Sequence, residues 1–202
     1  MEMRKIAMKP EQLLEIMSTA AKLKVTPRHC YTEEGRRESV ADHSWRVSLM
    51  ALLLSGEPEF SALDMDKVIK MCLIHDLGEA FTGDIPTFRK TDAECVTEEH
   101  IFDAWVDGFP EPQRTQWQQL LTEMNALETP EARTYKALDK LEAVISHDES
   151  DISTWLPLEY DLQLTYGKKD VAFSPALTAL SAAIDEVTRR KIREESPKEV
   201  NE

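Results

Sequence analysis

One stretch limits what this chain can fold into more than any other. Val68-Ile69-Lys70-Met71-Cys72-Leu73-Ile74 is an apolar, helix-forming run that leads straight into His75-Asp76-Leu77-Gly78-Glu79-Ala80-Phe81-Thr82-Gly83-Asp84-Ile85-Pro86. A histidine, three carboxylates and two glycines therefore sit at the end of a segment that has to be buried. An unpaired buried charge costs roughly several kcal/mol even after relaxation, so these groups need a cation or water, and a bound metal answers that need best. Val68, Met71, Cys72 and His75 recur at helical spacing, which puts His75 on the buried side. If the helix stops at Gly78, His75 and Asp76 lie at the negative end of its dipole, which favours a cation.

The rest of the chain reads as helices around this stretch. Pro10 to about Lys24 is a first helix, with Leu13, Leu14, Met17, Ala20 and Ala21 on one face. Lys24 to Glu38, with Pro27 and Gly35, reads as a loop. Ser39 can cap a helix that carries Val40, His43, Val47 and Met50 on one face and stops at Gly56. A third helix starts at Asp64 or Asp66. Two more span Asp92–Asp107 and Pro110–Asn125. Thr129-Pro130-Glu131 then supplies a cap, a first-turn proline and a first-turn acid. The helix it opens should reach about His147, with Ala132, Tyr135, Leu138, Asp139, Glu142 and Ile145 facing inward. Pro157 interrupts Trp155–Tyr166, Gly167 looks like a helix end, and Ser174-Pro175 opens a last helix. No strand is evident, so the expectation is an all-α single domain of roughly six to eight helices. Its domain would span 1–193, with a core over about 13–149, C-terminal helices over about 150–193 and a charged tail over 194–202.

Bulk properties narrow the functional classes. The 202 residues suffice for one domain, and 42% hydrophobic residues with only six glycines favour a helical globule. No apolar run reaches the ~18 residues of a membrane span, and no signal-peptide core follows Met1-Glu2-Met3-Arg4-Lys5. Cys30, Cys72 and Cys95 show no paired spacing, which suits a reducing, cytoplasmic setting. The net charge of −14 argues against a nucleic acid polymer as partner. It leaves room for a small anion, since a local basic patch and a metal can reverse the field within one pocket. The basic segment Arg28 to Arg37, with Arg89 and Lys90, is the candidate patch.

His43, His75, Asp76 and Asp139 stand out as metal ligands. Imidazole with carboxylate is a borderline-to-hard donor set suited to Mn, Co, Ni, Fe or Zn, although a lone histidine on an apolar face is more often a core residue. At this point Asp42-His43, His75-Asp76 and Asp139 resemble the H…HD…D pattern of the HD-domain metal-dependent phosphohydrolases. The match is closest to the 5'-deoxynucleotidase-like branch, through Arg36-Arg37-Glu38-Ser39-Val40-Ala41-Asp42-His43-Ser44, His75-Asp76-Leu77-Gly78-Glu79, Thr82-Gly83-Asp84-Ile85-Pro86 and Leu138-Asp139-Lys140. It spans roughly Leu13 to Glu149.

The resemblance implies an all-helical HD fold holding one divalent metal (Mn, Co, Fe, Ni, Zn or Mg) on His43, His75, Asp76 and Asp139. It implies a catalytic Glu79 that handles protons, an Asp84 that helps place water and sugar, and an Arg28 that meets the substrate phosphate. A guanidinium suits that last task through bidentate pairing. Arg36 and Lys90 match further basic positions. The branch commonly carries a tryptophan shortly after the arginine, where this chain reads Arg28-His29-Cys30-Tyr31, so Tyr31 is the candidate replacement. His29, His100 and His147 match no motif and are assigned to the surface or to the surroundings of the ligands. Arg133 and Lys136 are assigned to helix-surface pairs.

The expected activity is metal-dependent removal of the 5'-phosphate from a (deoxy)nucleoside monophosphate by a homodimer, with Trp105, Trp117 and Trp155 available to an interface or to the core. Two alternatives keep the fold: hydrolysis of a non-nucleotide phosphate, and a non-catalytic nucleotide-binding or scaffold role. A di-iron oxidative site would need more histidines than His100 between Asp76 and Asp139.

Overall fold

The computed structural model describes residues 8–32 and 35–196. Capping residues set most of its helix ends. Pro10 opens α1 (Pro10–Ala20), which tightens into a 3-10 turn over Ala21–Lys24. Two short strands follow, β1 (Pro27–Tyr31) and β2 (Arg37–Ser39), paired antiparallel with Tyr31 opposite Arg37. This hairpin corrects the expectation of a structureless loop. No alternating apolar pattern announces it, because what fixes it is tertiary: the Tyr31 amide donates to the Ser150 hydroxyl at 3.0 Å, and that hydroxyl lies 2.8 Å from the Tyr31 carbonyl.

Ser39 starts α2 (Val40–Leu54) with a reciprocal cap: its hydroxyl accepts from the Asp42 amide, and the Asp42 carboxylate accepts from the Ser39 amide. Asp64 caps α3 (Met65–Ile74). The chain then turns through His75–Gly78 into the single turn α4 (Glu79–Thr82), which Gly83 ends at φ 76°. Gly78 lets the segment around Glu98 approach closely, since a Cβ there would meet the Glu98 Cγ at 3.2 Å and that side chain would have to give way. Next come α5 (Asp92–Asp107) and α6 (Gln113–Ala126). Thr129 and Pro130 open α7 (Pro130–Glu149), whose 20 residues make a rod about 30 Å long. The C-terminal elements are α8 (Glu159–Leu162), α9 (Lys168–Val171) and α10 (Pro175–Glu195).

The described residues therefore form seven helices of ten residues or more and three single turns, as an all-α bundle. At its centre α2, α3 and α7 pack on one another through Val40, Val47, Ala51, Val68, Met71, Cys72, Ala137, Leu138 and Leu141, all nearly or fully buried. Of the three tryptophans offered to an interface or the core, Trp155 is buried and Trp105 and Trp117 are half-buried against the core. Trp105 and Trp117 both meet Phe109 edge-on, at 4.8 and 5.2 Å between centroids, and Trp155 is buried with its indole donating to the His147 carbonyl. Conversely, the apolar face of α1 is uncovered: Leu13, Leu14 and Met17 are all exposed. No described helix is long and apolar enough to cross a membrane. Of the expected charged tail, 197–202 lie outside the described residues.

Candidate metal centre

His43 sits one turn into α2, His75 and Asp76 follow the end of α3, and Asp139 lies mid-way along α7. Packing of these three helices brings the four side chains to one point. The Nε2 atoms of His43 and His75 are 3.3 Å apart. Asp76 Oδ2 lies 3.1 Å from His75 Nε2 and 3.7 Å from His43 Nε2, and Asp139 Oδ1 lies 3.1 Å from His43 Nε2 and 3.6 Å from His75 Nε2. Ligand atoms of His43, His75 and Asp76 all fall within 4.8 Å of one another.

The surroundings fix which nitrogen each imidazole turns inward. His75 Nδ1 donates to the Cys72 carbonyl at 2.8 Å. His43 Nδ1 faces the buried Glu142 carboxylate in a very short contact. A carbonyl and a carboxylate only accept, so both Nδ1 atoms carry hydrogen and both Nε2 lone pairs point at the two aspartates. Electron pairs from four residues thus converge with too few hydrogens to share, and a divalent cation satisfies all of them. Protons can substitute only in part. Burial alone would lower the His75 imidazole, but Asp76 and Asp139 outweigh it and raise it to about 10. Burial likewise opposes ionisation of Asp139, yet Lys136 and the two histidines hold its carboxyl far below the usual carboxylate range. The residues present fit a borderline-to-hard divalent metal.

A cavity of about 370 Å³ opens from this centre, lined among others by His43, Asp76 and Asp139. Of the remaining expected residues, Arg28, Glu79, Asp84 and Lys90 line it too. Arg28 is held in place from behind, its Nη1 2.9 Å from Glu38 Oε2 and 3.6 Å from Glu142 Oε2, with only 15% of its side chain exposed. Lys90 pairs with Glu98 at 2.6 Å. Glu79 is buried, and its Oε2 has no hydrogen-bond partner among the described residues. Burial, with Asp76 and Asp84 beside it, pushes that carboxyl up to about 10. Asp84 is also pushed up, by burial first and then by Asp76. A carboxyl raised in this way keeps its proton at neutral pH and can donate it into the cavity.

Two expected substrate contacts lie off the cavity. Tyr31 is absent from its lining because the hairpin turns its ring under Arg37, whose guanidinium is 5.1 Å from the ring centroid. Arg36 extends outward and holds the Asp42 cap at 2.7 Å. Lys136, assigned to the helix surface, instead lines the cavity with Nζ 2.8 Å from Asp139 Oδ2. Its place was legible as one turn before Asp139 on the same face. Glu142 was legible as inward-facing, three residues after Asp139, but nothing in the sequence says that it holds His43. His147, two turns beyond Asp139, is buried and lines the far end of the cavity with His29.

Comparison with known proteins places the chain in a family. The HD-domain family model matches residues 20–181. The 5'-deoxynucleotidase HDDC2 of Danio rerio is 31% identical over 147 residues, covering 69% of this chain and 70% of that protein. Its Homo sapiens counterpart is 28% identical over 141 residues, covering 68% and 67%. Among solved structures, one described as a predicted metal-dependent phosphohydrolase from Magnetospirillum magnetotacticum MS-1 is 30% identical. It superposes with a TM-score of 0.72 over 88% of this chain and 94% of that one.

Proposed function

The chain belongs to the HD-domain family, and from that premise we propose that it is a metal-dependent phosphomonoesterase that hydrolyses (deoxy)nucleoside 5'-monophosphates to nucleoside and phosphate. The observation that carries the reading is the junction of a four-residue donor set with a buried Glu79, whose Oε2 has no partner among the described residues, in one cavity. The kinship to curated 5'-deoxynucleotidases supports the substrate class.

His43, His75, Asp76 and Asp139 would hold one divalent ion, which supplies a Lewis acid for a phosphoryl oxygen and lowers the pKa of water. Arg28, fixed by Glu38 and Glu142, meets the phosphate with a pre-oriented guanidinium. Lys136 occupies the outer oxygen of Asp139 and offsets charge beside it. Asp84 orients the attacking water. As that water bonds to phosphorus it gives one proton to the Asp84 carboxylate, the bond to the 5'-oxygen breaks, and Glu79 gives its proton to the leaving oxygen, so that the nucleoside departs neutral; the proton on Asp84 then returns Glu79 to its acid form. A mere binding protein has no use for Glu79 in this state.

The reading includes a cytoplasmic homodimer. Three free cysteines suit a reducing compartment. The stripe Trp45, Leu49, Leu52 and Leu53 on α2 is exposed and offers a surface for a second copy; light scattering in solution should give twice the mass of the chain. The activity is tested by phosphate release from deoxynucleotides, ribonucleotides and non-nucleotide phosphate esters, with Mn, Co, Mg or chelator. Release from deoxynucleotides that chelator abolishes is the expected result. Release confined to non-nucleotide esters overturns the substrate assignment, and no release with any ester and metal overturns the enzyme.

A further inference from the structure

The cavity is longer than a phosphate needs. Asp139, Ala143 and His147 line it from successive turns of α7, so it extends about 12 Å along that helix from the metal centre. Its far wall is made by residues outside every motif: His29 and Phe88, then His147, and Leu162, Gln163 and Tyr166 from α8 and the turn after it. Behind this wall the buried Glu159 carboxylate sits 2.9 Å from His29 Nε2 and 3.4 Å from His147 Nε2, and it accepts from the Leu156 amide at 2.5 Å. Tyr166 is tied to Thr87 at 3.1 Å between hydroxyls.

Gln163 is different. It is only 7% exposed and faces the cavity, yet its side-chain amide hydrogen-bonds to no described residue. A buried primary amide carries donors and an acceptor whose loss of water has to be compensated. The Gln163 amide atoms remain open to the cavity, so a ligand that fills this end displaces their water and has to supply the matching partners. Aromatic faces beside an adjacent donor and acceptor match a planar heterocycle: any base has a stacking face, and an amide pairs with a base edge through two hydrogen bonds. A sugar phosphate without a base would use neither feature.

We propose that the far wall is a nucleobase subsite and that the Gln163 amide reads the base edge, making Gln163 a specificity residue of this enzyme. The inference rests on the phosphomonoesterase reading and assigns the residue that meets the base of its substrate. Its test uses the metal-loaded protein, with kcat/KM measured for the common deoxynucleoside 5'-monophosphates and for the baseless 2-deoxyribose 5-phosphate. Two variants remove the amide at nearly constant volume, Gln163→Leu and Gln163→Met, and thermal melting checks that each folds. The wild-type protein should favour at least one nucleotide over the sugar phosphate. Either variant should lower that nucleotide's kcat/KM by roughly 5- to 150-fold, the value of a good bidentate base contact, and leave the sugar phosphate unchanged. Three results overturn the proposal while the phosphatase stands: equal use of both substrates by the wild-type protein, equal losses on both in the variants, or no loss at all. Phosphate release from no nucleotide overturns the phosphatase reading and the subsite together.

Discussion

At the Asp139 end of the cavity almost every polar atom is committed. Each histidine spends Nδ1 on a fixed acceptor, Asp139 divides its oxygens between the histidines and Lys136, and Arg28 is braced by two carboxylates. At the Gln163 end the wall is largely aromatic and aliphatic, and its one amide hydrogen-bonds to no described residue. The difference matches what each end has to meet. A small ion with fixed ligand directions is best held by groups that cannot turn, while the variable part of a substrate is read by groups whose hydrogen bonds are still unspent.

Glu79 probes the committed end most severely. Glu79→Ala should lower kcat by roughly 10²- to 10⁴-fold, the range for a general acid, while metal content by elemental analysis stays at the wild-type level. Loss of the metal as well would move Glu79 from proton transfer to site assembly. Glu142 tests whether orientation of a ligand matters. Glu142→Ala leaves His43 Nδ1 without its acceptor and should weaken metal affinity by about 10- to 100-fold, measured by competition with a chromophoric chelator. Glu142→Gln keeps an acceptor and should lose less.

Asp148 tests what a buried carboxylate does when no site uses it. It accepts from the Thr188 hydroxyl at 2.7 Å, its other oxygen has no partner among the described residues, and burial raises its carboxyl to about 6. The folded state therefore keeps a proton that the unfolded chain, near 3.8, has lost. The sign follows: the Asp148 contribution to stability should fall as pH rises from about 4 to 6, and Asp148→Asn should remove that contribution, gaining about 1–2 kcal/mol over the wild-type protein at pH 8 by urea melts. The smallest effect is expected at Tyr31. Because its ring lies under Arg37 and off the cavity, Tyr31→Phe should leave the ratio of deoxy to ribo turnover unchanged; a shifted ratio would return Tyr31 to the substrate.

The two ends also differ in how far the sequence discloses them. His75, Asp76, Glu79 and Asp84 are contiguous, and their polarity conflicts so openly with the apolar run before them that the site declares itself. Ser39, Asp64, Thr129 and Pro130 give the helix starts in the same local way. The far wall has no such signature. His29, Phe88, His147 and Gln163 come from four separate segments and become neighbours only in the folded chain; the hairpin that brings His29 is held on α7 by Arg28–Glu142, Glu38–Ser146 and Tyr31–Ser150 contacts rather than by any pattern within the hairpin. The α1 face is the converse case: its helical periodicity is plain in the sequence, but periodicity does not say what covers a face, and Leu13, Leu14 and Met17 are exposed.

The central claim is most directly tested by titrating the metal-stripped protein with Mn or Co while following phosphate release from a deoxynucleoside 5'-monophosphate. The account predicts no release from the stripped protein and activity that rises to a plateau at one ion per chain. Release that survives stripping, or a plateau reached only at two ions per chain, would contradict a single centre built from His43, His75, Asp76 and Asp139.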